Sequence, residues 1–240
     1  MSESNASASG TPRREFLHRL VGAGVTAAGA TLLTSCAASA GATTTGITPV
    51  MAKTEGWDMS WTNRLGRYRT AYDSPEIQSG AALQLAVAAA YGYKLAMGVS
   101  ESEFTPVLIL RHAASVMVLN DSMWDRLAIG ETTKLKDPTT GEPAKRNPFI
   151  NYVKGDKHSF VGADAGLDTL ISRGAIVLSC NNALTGIAYG LRKKEPQFTP
   201  ETALAEVRRN VLPGCYVMPN GIFAVSAAQD NGCHYMRVLV

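Results

Sequence analysis

The sequence predicts an α/β fold: one three-layer domain with a mostly parallel, roughly five-stranded sheet and helices on both faces. Three observations carry this expectation. Short apolar runs and helical patterns alternate about five times from Tyr68 onward. One run, residues 175–178, is continuously apolar, as a parallel strand covered on both faces is, and residues 105–110 (Thr-Pro-Val-Leu-Ile-Leu) read as the clearest second strand. Ser/Thr-Pro-Glu triplets, which open helices with a cap, a proline and an acid, recur at 74–76 and 199–201.

The amino-terminal part reads as an export signal. Arg13-Arg14-Glu15-Phe16-Leu17 resembles the twin-arginine consensus, and the weakly apolar stretch 21–33 is too short to span a bilayer permanently. The signal is assigned to residues 1–40. Two cleavage patterns compete within it. Leu33-Thr34-Ser35-Cys36 resembles a lipobox, which would lipidate Cys36 and anchor the chain to a membrane, whereas Ala38-Ser39-Ala40 fits ordinary signal peptidase. Residues 41–56 are small and threonine-rich and read as a flexible tether. The domain then occupies 57–240. An exported chain of this kind is expected in the periplasm or cell envelope.

Within the domain, Trp57 and Trp61 lie four apart, either covering the core's edge or forming a contact surface. Residues 68–72 alternate as a first strand. A helix is expected from Ser74 as N-cap to about Met97, ended by Gly98 and well buried by its broad apolar face. The second strand, 105–110, delivers Arg111 and His112 to its carboxyl end. Asn120 caps a helix through Trp124 and Leu127, closed by Gly130. Residues 134–148, with three prolines and four basic side chains, read as a polar surface insertion.

The chain is organised around the next strand. It ends on Cys180, and Asn181 and Asn182 are expected to cap the short helix that follows. A cysteine at a strand's carboxyl end and a helix's amino end lies where open α/β sheets bind ligands, and backbone N–H groups there favour a thiolate. An exposed turn is expected at 192–195, then a helix from Thr199 to about Asn210. A strand over 215–218, a helix over 222–230 and a last strand over 233–240 complete the order.

Composition narrows the function. The formal charge of +3 is scattered, so nothing indicates a nucleic-acid surface. Four cysteines without a CxxC pair indicate neither a disulfide scaffold nor a metal site. No cofactor is expected. Cys215 and Cys233 begin successive strands, and the alternatives are a disulfide formed after export or two small buried residues.

From Gly174 onward the chain resembles the DsrE/DsrF-like family of sulfur-handling α/β proteins. The resemblance lies in the strand ending at Cys180 followed by Asn-Asn-Ala-Leu, Leu212-Pro213-Gly214, Val217-Met218-Pro219-Asn220-Gly221, and Ala228-Gln229-Asp230-Asn231-Gly232 before the last strand. It covers about the last third, and Cys215 and Cys233 depart from the family's usual valine and aromatic. The resemblance implies a persulfide carried on Cys180, a sulfurtransferase-like activity, a homo-oligomer and a sulfur donor or acceptor protein. Arg111, with the backbone amides of Asn181 and Asn182, would stabilise the anion, and His112 would line the site. The competing readings are a membrane-anchored, non-catalytic binding module with a structural Cys180, and an envelope thiol-redox sensor.

Overall fold

A computed structural model describes residues 56–137, 139–150 and 161–239. The signal residues Arg13 and Arg14, the lipobox Cys36 and nearly all of the tether lie outside the described residues. Five parallel strands form one sheet in the order β4-β3-β2-β1-β5. They are β1 (Tyr68–Ser74), β2 (Phe104–Leu110), β3 (Ile176–Cys180), β4 (Cys215–Met218) and β5 (His234–Arg237). The helices are α1 (Ala81–Met97), α2 (Asp121–Leu127), α3 (Ile129–Thr133), α4 (Leu167–Ser172), α5 (Asn181–Lys194), α6 (Pro200–Arg209) and α7 (Gly221–Asp230). The three-layer α/β architecture is therefore the one the alternating pattern indicates.

Period-two alternation sorts the strand side chains between two cores. Leu108, Leu110 and Val177 pack with Leu83 of α1, Trp124 of α2, Leu184 and Leu191 of α5, and Val207 of α6. Val107, Ile109, Ile176 and Leu178 face the other way, against Ala224, Ala227 and Ala228 of α7 and against Trp61. Every residue of β2 and β3 is buried, as continuous apolar runs require. Trp61 is wholly buried, so it covers the sheet, while the Arg208 guanidinium sits 5.6 Å over the Trp57 ring.

Adjacent strands β3 and β4 send their helices to opposite faces: α5 joins the larger core and α7 the smaller. A crevice opens at the carboxyl ends of such a strand pair, because the two chains leave the sheet in opposite directions.

Several local expectations are corrected. Ser74 ends β1 instead of capping α1: its carbonyl accepts from Arg111 N–H (3.1 Å), and its hydroxyl donates to Glu76 O (2.8 Å). The helix starts at Ala81, after Gln78, Ser79 and Gly80 turn through left-handed backbone at φ 43°, 50° and 80°. Gly98 ends it as expected, at φ 65°. Only Ala82, Leu83 and Ala86 of α1 are buried; Tyr91, Leu95 and Met97 are 62%, 67% and 58% exposed. Apolar spacing defines a face but does not supply its cover. Helix α2 stops at a left-handed Ala128, and Gly130 lies inside α3, where a Cβ would collide with the Ala144 backbone. The insertion is anchored, not wholly superficial. Buried Asn147 donates from Nδ2 to Met117 O (2.8 Å) and Leu119 O (2.7 Å) and accepts from Phe149 N–H (3.0 Å). Residues 192–194 continue α5, so the expected turn begins only at Glu195. The last strand is shorter than expected, since Cys233 precedes it and pairing stops at Arg237.

Cys215 starts β4 and Cys233 immediately precedes β5, so they belong to opposite edges of the sheet. Four strand spacings separate those edges, about 19 Å. No disulfide can join them at that separation, and both are free thiols. Sequence neighbours became spatial opposites because the connection through α7 recrosses the sheet.

Candidate functional site

Cys180 is the last residue of β3 and the N-cap of α5, opposite Met218 in register and 7% exposed. It takes the cap position itself, so Asn181 and Asn182 are the first helical residues and not the cap. A cleft of about 1270 Å³ opens above it at the β3/β4 divergence, bounded by Arg111, His112, Asn182, Asn220 and Gly221. One wall is α5; Val116, Leu127, Ile129 and Leu135 add apolar lining, with Thr132 and Thr133 beside them.

Four of the five site residues expected from the sequence thus meet in one cleft: Cys180, Arg111, His112 and Asn182. The Asn181 side chain is engaged elsewhere. Its Oδ1 accepts from Arg208 Nε (3.0 Å) and from a terminal guanidinium nitrogen (2.7 Å), which ties the start of α5 to α6. His112 sits in left-handed backbone at φ 48° as the chain turns sharply after β2, and its side chain is exposed.

Two residues that hold the site were not singled out by the sequence. Asp73, near the end of β1 and 3% exposed, takes Arg111 in a forked pair, at 2.6 Å from Nε and 3.0 Å from a terminal nitrogen. Tyr235 of β5 donates its hydroxyl to the same carboxylate at 3.0 Å. The signal was present in part. Asp73 lies near a carboxyl-terminal strand end like Arg111 and Cys180, but the β1–β2 and β1–β5 adjacencies that unite the three side chains come from topology.

The hydrogen bond that Arg111 donates to Asp73 is the largest influence holding the Arg111 proton more tightly than usual; the Cys180 sulfur contributes in the same direction. Burial raises the Tyr235 phenol, reinforced by its bond to Asp73. Gly221 opens α7 where a Cβ would lie 2.6 Å from Arg111 Cβ, so glycine lets the arginine stem lie against the helix start. Gln78 lines the cleft rim, and its Oε1 is buried without a hydrogen-bond partner among the described residues.

Neither described cysteine reaches Cys180. Cys215 pairs with Val177, three residues before Cys180, about 10 Å back along the sheet. Cys233 lies three strands away. A sensor that needs a resolving thiol finds none among the described residues. Burial also pushes the Cys215 thiol up to about 12 and raises that of Cys233, so both are inert at neutral pH. Among the described residues, no group of three or more His, Cys, Asp or Glu side chains is placed to hold a metal ion.

Fold and site together define a three-layer α/β protein with a cysteine in the crevice at the carboxyl ends of β3 and β4. No family model, curated protein or solved structure matches the chain.

Proposed function

We propose that the protein is a DsrE/F-like persulfide carrier, with Cys180 as the sulfur-bearing nucleophile and Arg111 as its electrostatic partner. The observation that carries the reading is the address of Cys180: strand end, helix start, and floor of a cleft shared with a guanidinium. The α5 amides and Arg111 stabilise negative sulfur, while near-complete burial limits over-oxidation. In the loading step the Cys180 thiolate attacks the outer sulfur of thiosulfate. The S–S bond breaks, sulfite leaves with the electron pair, and Cys180 becomes a persulfide anion, without an external oxidant. The resemblance of residues 13–17 to a twin-arginine signal supports a cell-envelope location for this chemistry, with lipidated Cys36 as the membrane anchor in the lipobox alternative. No helix among the described residues is long and apolar enough to cross a membrane.

The test is intact mass of the full chain after brief exposure to thiosulfate or polysulfide, beside Cys180→Ser. A reductant-labile gain of one sulfur, ~32 Da, on the wild type alone supports carriage. No adduct, with Cys180 also silent to alkylation in the folded state, overturns it.

A second reading, assembly, is favoured by the exposed Tyr91, Leu95 and Met97 on α1. These give a homo-oligomer a contact surface that the buried Trp61 does not. Sedimentation of Leu95→Glu against wild type decides it: an unchanged, monomeric wild type removes this reading.

A further inference from the structure

The cleft is far larger than the transfer of one sulfur atom requires, and its shape indicates what delivers the sulfur. Resting on the carrier reading above, we propose that the sulfur donor is an organic persulfide, R–S–SH, whose elongated apolar body lies along α5.

Asn182, Gly186, Gly190 and Lys194 succeed one another at four-residue spacing and all line the cleft. They form one helix face running about 18 Å from beside Cys180. Glycine is the poorest helix former after proline, yet two glycines occupy the middle of this 14-residue helix. Packing does not require them, because a Cβ at either position would meet nothing within 4 Å. Their effect is to keep the α5 wall of the cleft flat and open. Aliphatic side chains, Val116, Leu127 and Ile129, line the same cleft. A chain-like apolar body laid in this trough removes both surfaces from water. Inorganic polysulfide has no such body.

The step balances without a co-reactant. The Cys180 thiolate attacks the terminal sulfur of R–S–SH, forming Cys180–S–SH. The donor's S–S bond breaks, and its electron pair leaves on RS⁻, which departs beside Arg111. The transferred sulfur keeps its proton.

The experiment labels the full chain with methyl, butyl and octyl methanethiosulfonate. Each forms Cys180–S–S–R and releases methanesulfinate; rates are read by intact mass, with Cys180→Ser as the blank. Burial of the added methylenes predicts an octyl-to-methyl rate ratio of about ten or more in the wild type. In Gly186→Leu/Gly190→Leu, which fills the trough with better helix formers, the ratio falls towards one. A wild type that takes sulfur from inorganic tetrasulfide but labels at one rate for all chain lengths overturns this inference alone. An undiminished ratio in the double variant does the same. A wild type that takes no sulfur from tetrasulfide or an alkyl persulfide overturns the carrier reading beneath it, whatever the chain-length ratio.

Discussion

Replacing Arg111 with methionine isolates the pair that braces the cleft. The methionine keeps an apolar stem beside Gly221 and removes the guanidinium. The Asp73 side chain, 4% exposed, loses both charge-assisted hydrogen bonds and, among the described residues, retains the Tyr235 hydroxyl. Breaking a fully buried pair from one side costs about 3–5 kcal/mol, because the remaining charge is stranded. Arg111 is 14% exposed, so water reaches part of the pair and the expected loss is at the lower end, about 3 kcal/mol. For a domain of this size, that is a fall in Tm of roughly 6–12 °C. The assay is urea unfolding at pH 7, with Arg111→Met, Asp73→Asn and the double variant in one cycle. The double variant should recover at least half of the Arg111→Met loss, since no carboxylate is then stranded. A single-variant loss below about 1 kcal/mol, or a double-variant loss equal to the sum of the singles, would refute the reasoning.

Further outcomes follow from the same contacts. Asn147→Ala should lose about 2–3 kcal/mol in urea, since Met117 O and Leu119 O lose their donor and Phe149 N–H its acceptor. Gly221→Val should lose about 1–3 kcal/mol, because its Cβ meets Arg111 Cδ at 2.7 Å; an unchanged urea midpoint would contradict the contact. Thiol titration in denaturant without reductant should find Cys215 and Cys233 both free, and a mass consistent with their disulfide would contradict the sheet order. Burial raises the Cys215 thiol from 9.0 to about 12, so its stabilisation is fully present below pH 9.0 and is lost as pH rises towards about 12. Cys215→Ala should flatten the first part of that decline in urea midpoints taken from pH 8 to 11. An identical slope would show that the thiol does not titrate late.

The sequence showed the skeleton of this molecule more clearly than its bracing. β2 and β3 were legible because each carries a run of apolar residues, 106–110 and 175–178, as strands buried on both faces do, and that fixed where Arg111 and Cys180 emerge. The start of α1 was misplaced because Ser-Pro-Glu satisfies helix-opening chemistry, yet the Ser74 carbonyl is claimed by Arg111 N–H. Capping by Asn181 was misread for a similar reason: Arg208, 27 residues away, takes its side-chain oxygen. The contribution of Asp73 and Tyr235 stayed hidden because they are 162 residues apart and meet only through sheet order.

The placement of β5 also sets the order in which the molecule can be completed. β5 pairs with β1, and its Tyr235 closes on Asp73 across a sequence separation of 162 residues. Val238 N–H adds a bond to Asp73 O at 2.9 Å. During synthesis β1 to β4 can zip together in sequence, each strand beside its predecessor, but the free flank of β1 must wait for the tail. Such a long-range closure is slow and leaves a sheet edge unpaired until late. The cleft's bracing carboxylate therefore has its full set of partners only when β5 is docked, so the site's integrity is tied to the pairing of that edge strand.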